Sequence, residues 1–132
     1  EVIDVKADLA KVIAMKPIYF DFDLYAISAT AAIELDKIVA ILNKYPTMEI
    51  ELKSYTDCRG SELYNQYLSE QRASETVGYI RSRITNPNRI TGKGFGETNS
   101  LNDCVCVDNV LSDCPKSEHQ QNRRTEFIVV KK

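Results

Sequence analysis

The hydrophobic period of this chain changes twice between residues 18 and 53, and that alternation limits the folds open to it. Ile18, Phe20 and Phe22 alternate with Tyr19, Asp21 and Asp23, a period of two that marks a half-buried strand. From Ser28 to about Lys44 the spacing becomes three and four. Ala32, Leu35, Val39 and Leu42 then share one helical face, with Glu34, Lys37 and Lys44 off it. Tyr45-Pro46 ends this helix, because a residue before proline is biased away from helical geometry. Met48, Ile50 and Leu52 return to strict alternation against Glu49, Glu51 and Lys53. Strands and one-striped helices taking turns must bury their apolar sides against each other, which calls for helices layered on a sheet.

The rest of the chain extends the pattern. A turn-rich cluster, Thr56-Asp57-Cys58-Arg59-Gly60, precedes a second helix predicted from about Ser61 to Arg83, with Ala73, Val77, Ile80 and Ile84 as its inward stripe. Asn86-Pro87-Asn88 breaks it. Arg89 to Gly96 reads as a third strand, and its glycines point to a bend or bulge rather than a phosphate loop. Residues 97–121 read as a long polar loop holding three cysteines, and Thr125 to Lys131 as a final strand. Residues 1–16 have no clear period and read as a lead-in, either an edge strand or a helical turn. The fold class is therefore α+β: a two-layer sandwich of order β-α-β-α-β-loop-β, with a mixed four-stranded sheet and two main helices on one face. One domain suits 132 residues.

Composition excludes several functions. Seventeen Lys and Arg against 19 Asp and Glu give a net charge of -2, which is not the footprint of a nucleic-acid binder. No apolar run approaches the roughly 18 residues of a membrane span. The chain opens at Glu1 without a signal-peptide pattern, so it is read as a mature or excised piece with any targeting signal outside it.

The segment from Tyr55 to Ala73 carries the chemistry. On the second helix Asn65, Leu68 and Arg72 fall within about 60° of one another. Asp57 lies just past the strand that feeds that helix, where ligands commonly sit in layered domains. A carboxylate and a guanidinium held close together suit a zwitterion, the first taking an ammonium and the second forking onto a carboxylate. A plainer reading stands beside it: Asp57 as a turn former, Arg72 as a solvated helix residue, or the two as an ion pair with each other.

Four motifs resemble, in order, those of the OmpA-like peptidoglycan-binding domain. They are Ile18-Tyr19-Phe20-Asp21-Phe22-Asp23; Thr56-Asp57 with Gly60, Tyr64-Asn65, Leu68-Ser69 and Arg72-Ala73; Gly92-Lys93-Gly94-Phe95-Gly96-Glu97; and Asn122-Arg123-Arg124-Thr125-Glu126-Phe127. The resemblance covers residues 17–132, taken as the domain, and the loop ending in Glu118-His119-Gln120 is similar to versions from the Bacteroidetes branch. It implies non-covalent binding of the peptidoglycan stem peptide through diaminopimelate. Asp57 would hold the ammonium and Arg72 the carboxylate. Asn65 and Leu68 would line the same pocket, Asp23 and Ile27 the opposite wall, and Asn122 and Arg123 would contact ligand from the closing motif. The implied location is periplasmic, within an outer-membrane protein or lipoprotein anchored to the cell wall. No cofactor and no metal are implied.

Cys58, Cys104, Cys106 and Cys114 allow three full pairings, and spacing does not choose among them. For a periplasmic domain two disulfides are expected, Cys104 with Cys114 closing the polar loop and Cys58 with Cys106 tying that loop to the binding turn. A zinc site with His119 is the competing use of the same sulfurs, disfavoured because Cys104-Val105-Cys106 lacks the two-residue gap. No nucleophile and base signature accompanies the single histidine, so no enzyme is expected. Two alternatives are carried forward: a periplasmic protein–protein interaction module without peptidoglycan binding, and a cell-wall hydrolase.

Overall fold

The computed structural model describes residues 3–16, 18, 20, 26–98, 100–102, 104, 106 and 114–132. Along them run α1 (Leu9–Val12), α2 (Ala29–Lys44), β1 (Glu49–Tyr55), α3 (Glu62–Arg81), a 3-10 turn (Pro87–Arg89), β2 (Ile90–Gly96), α4 (Lys116–Asn122) and β3 (Thr125–Lys131). Both long helices begin at serine caps: Ser28 accepts from the Ala31 N–H and Ser61 from the Tyr64 N–H, each at 3.1 Å.

The three strands form one mixed sheet in the order β2-β1-β3. Central β1 runs parallel to β2, with Ile50 opposite Ile90, and antiparallel to β3, with Leu52 opposite Phe127. The parallel pair is connected through α3, since parallel neighbours need a crossover. Alternation decides the buried face: Ile50, Leu52 and Ser54 point inward, whereas Glu49, Glu51 and Lys53 are half-exposed. Leu35, Ile38 and Leu42 from α2, and Ala73, Val77 and Ile80 from α3, close over that face with Ile90, Phe127 and Val129 as one core. Each fully buried Leu or Ile there contributes about 1.5–3 kcal/mol.

Glycines let α3 lie directly on β2. A Cβ at Gly94 would meet the Glu70 nitrogen at 2.3 Å and the Ser69 carbonyl carbon at 2.5 Å, so only glycine allows this approach. The bulge expected in this strand is present: the β1–β2 register passes from Ser54↔Gly94 to Tyr55↔Gly96 and leaves Phe95 unmatched.

Several expectations change. Of the expected first strand only Ile18 and Phe20 are described, neither in a strand; the rest, Asp23 included, lies outside the described residues, among which the sheet has three strands. The loop over 97–121 ends in α4, which has no apolar stripe and so no periodic signal: its buried side chains are His119 and Asn122. In α2 Ile38 is fully buried, while the expected Val39 is half-buried against the same core. Glu34 is buried too, because its carboxylate accepts from the Lys16 N–H at 2.7 Å and from Lys37 Nζ at 2.9 Å. α3 stops at Arg81, so Ile84 packs from beyond the helix. The lead-in contains both a strand contact and a helical turn. Lys6 and Ala7 exchange backbone hydrogen bonds with Val129, and Asp8 then caps α1, whose Leu9 is fully buried.

Candidate functional site

The strand end of β1 and the start of α3 face a cavity of about 600 Å³. Asp57, Asn65, Leu68 and Arg72 all line it, joined from the closing motif by Arg123. The local sequence explains the placement. β1 ends at Tyr55, the chain turns through Gly60 at φ +95°, where a side chain would be strained, and Ser61 caps α3. Asn65 sits one turn into that helix. Its Nδ2 donates to the carbonyls of Asp57 at 3.3 Å and Arg59 at 3.0 Å, so its amide fixes the shape of the turn.

Asp57 is buried, and its carboxylate is well satisfied. Oδ1 accepts from the Arg59 backbone N–H at 2.9 Å and from Arg59 Nε at 3.1 Å, and Oδ2 from Arg59 Nη2 at 2.8 Å. Arg123 Nε approaches Oδ2 at 3.4 Å. Burial by itself raises the Asp57 pKa; the Arg59 hydrogen bonds and the charges of Arg59 and Arg123 outweigh it and hold the carboxyl below its ordinary range. Arg59 is correspondingly raised, chiefly by its hydrogen bond to Asp57. Nearby, burial pushes Glu97 up; a hydrogen bond with Asn65 opposes this, while the negative charges of Glu62 and Asp57 add to it.

Arg72 stands on the neighbouring wall with its guanidinium 4.9 Å from the centre of the Phe20 ring, a cation–π contact. Tyr55 stacks on Phe95 at 5.4 Å, and Arg124 lies over the Tyr55 ring at 4.0 Å. Tyr55 and Arg124 both line the cavity, so these contacts help hold that part of its wall in shape.

Two expected contacts lie elsewhere. Ile27 is half-buried against the core, not among the residues lining the cavity. Asn122 is buried but turned toward the cysteine loop, its Oδ1 accepting from the Leu101 N–H at 2.7 Å and its Nδ2 donating to Asn102 Oδ1 at 3.0 Å. A buried amide satisfies its own dipoles first, and the nearest partners are in that loop. Sequence reading missed Arg59, whose only signal is an Asp-x-Arg spacing in a turn, and the wall residues Tyr64, Lys116 and Arg124.

Both expected disulfides are present. Cys58 bonds Cys106 with Cα atoms 5.6 Å apart, and Cys104 bonds Cys114 at 5.8 Å. A Glu118 carboxylate oxygen lies with the Cys104 and Cys114 sulfurs inside a 4.8 Å cluster, but those sulfurs are joined to each other and neither is a thiolate. The bonds tie the Asp57 turn to the segment that leads into α4, and α4 ends at the residue before Arg123.

A profile of the OmpA family matches residues 19–109, and the chain belongs to that family. Outer membrane protein A of Bordetella avium is 30% identical over 121 residues, covering 92% of this chain and 58% of that protein. A 112-residue match at 35% identity covers 85% of this chain but 12% of a Gloeobacter violaceus protein named photosystem I P700 chlorophyll a apoprotein A2. The chain thus spans less than two thirds of either relative. Among solved structures, the peptidoglycan-associated lipoprotein from Burkholderia pseudomallei superposes with a TM-score of 0.71 at 21% identity, covering 89% of this chain and 92% of that one. That likeness establishes the shared α+β fold. No helix among the described residues is long and apolar enough to cross a membrane.

Proposed function

We propose that this domain binds the stem peptide of peptidoglycan without chemical turnover, holding a diaminopimelate head group between Asp57 and Arg72. The observation that carries this reading is that both side chains, opposite in charge, line one cavity. Membership of the OmpA family and the fold shared with a peptidoglycan-associated lipoprotein support it.

The geometry suggests how an ammonium enters. Arg59 is the close partner of Asp57 at 2.8 Å, and Arg123 is the loose one at 3.4 Å with a side chain 40% exposed. A ligand ammonium replaces Arg123 at Oδ2 while Arg59 keeps the carboxylate oriented. The ligand carboxylate then takes the Arg72 fork, and the released Arg123 is free to meet a second acid of the peptide. The same reading extends to residues 17–132 as the binding domain, in the periplasm, anchoring an outer-membrane protein to the cell wall.

Co-sedimentation with purified sacculi tests it. Asp57→Asn and Arg72→Ala should each abolish pelleting, since each leaves a ligand charge unpaired in the cavity, a loss of several kcal/mol. Full retention by both variants rejects the pocket.

A further inference from the structure

A second cavity of about 390 Å³ adjoins the first, sharing Ile18, Arg123, Arg124 and Thr125 with it. Its other walls come from the lead-in and from α4, including Lys11, Lys16, Gln120 and Gln121. We propose that this second cavity is an anion subsite that takes the C-terminal carboxylate of a peptide whose diaminopimelate group occupies the first; it rests on the function proposed above.

Charge carries the argument. Among the described lining residues there are four cations, Lys11, Lys16, Arg123 and Arg124, and no carboxylate. Neighbouring acids answer some of that charge: Arg123 leans on Asp57, Arg124 Nε bonds Glu126 at 2.9 Å, and Lys16 lies near Glu34. Lys11 is exposed and makes no salt bridge among the described residues. Cations of one sign around a concave surface focus a positive potential that draws in an anion. Gln120 and Gln121 add amides suited to a peptide backbone.

Adjacency points the same way. A peptide with its diaminopimelate in the first cavity ends one or two residues later, about 3.5–7 Å further along an extended chain. Four shared wall residues make the second cavity contiguous with the first, so a chain end leaving the first cavity has it as a neighbour. Lys11 and Lys16 precede residues 19–109, the part that matches the family profile, so this wall is supplied by this chain's own lead-in.

Isothermal titration of the full chain with three probes tests the subsite: free diaminopimelate, the tetrapeptide Ala-γ-Glu-diaminopimelate-Ala with a free C-terminus, and its C-terminal amide. The free acid should bind about fivefold tighter than the amide, the upper end for one exposed charge pair. Lys11→Glu should erase that difference, Lys11→Ala should reduce it, and both should leave the affinity for free diaminopimelate unchanged. Equal affinities for acid and amide, or a difference that survives Lys11→Glu, overturn the subsite while leaving the first cavity's role intact. If free diaminopimelate and both peptides fail to bind the unaltered protein, the first reading falls and the subsite with it.

Discussion

The Cys58–Cys106 bond joins residues 48 apart in sequence, and the double change Cys58→Ser, Cys106→Ser removes it while keeping Cys104–Cys114. In the loop-entropy treatment, closing a loop of that size is worth about 4 kcal/mol at 25 °C. With an unfolding entropy of about 2.1 cal/mol/K per residue, a chain of this length loses roughly 14 °C in Tm for that amount. The effect on ligand binding has a separate origin. Asp57 sits beside Cys58, and Arg123 sits at the far end of the segment that runs from Cys106 and Cys104 through Cys114 and α4. The Cys58–Cys106 bond thus tethers the Asp57 turn to that segment, and without it the turn must be reordered by the ligand. Reordering one residue costs about 1–2 kcal/mol, or roughly a tenfold loss of affinity in protein that is still folded. Thermal melting followed by circular dichroism reads the first effect, and titration with a diaminopimelate peptide at 25 °C reads the second. A Tm drop below about 3 °C, equivalent to roughly 1 kcal/mol, together with unchanged affinity would show that the bond neither stabilises the fold nor orders the turn.

Further outcomes follow from individual contacts. The depressed Asp57 pKa means that its contribution is complete above the unfolded value of about 3.9 and is lost as pH falls through the lower folded value. In urea titrations Asp57→Asn should therefore be less stable than the parent at pH 7, with the gap shrinking below about pH 4. Arg89 is buried with its guanidinium donating to the carbonyls of Leu42, Tyr45, Met48 and Thr85, so Arg89→Ala should cost about 3 kcal/mol in urea unfolding while the folded fraction still binds sacculi. Gly94→Ala should cost about 1–3 kcal/mol by forcing a Cβ against the α3 backbone. Gly78→Ala, with nothing within 4 Å, should instead raise stability by up to about 1 kcal/mol, as measured in the same titration.

Local order was legible because local physics writes it. The alternation at Ile50 and Leu52 and the three- and four-residue spacing at Leu35 and Leu42 record geometry set within a few residues, and β1 and α2 lie where those periods run. Serine caps and proline breaks bounded them for the same reason. The Asp57–Arg72 motif was legible through family resemblance, and the fold brings both residues to one cavity. What the sequence left open depends on which distant groups meet. Glu34 is charged yet buried, because the Lys16 backbone, far away in the chain, satisfies it. α4 buries a histidine and an asparagine rather than an apolar stripe, so no period announces it. Only the folded chain sets Arg123 on Asp57 and brings the lead-in's Lys11 and Lys16 beside Arg123 and Arg124. Hydrophobic periodicity encodes each element's own face, whereas the partners of a buried charge are fixed by tertiary distance, which no local pattern contains.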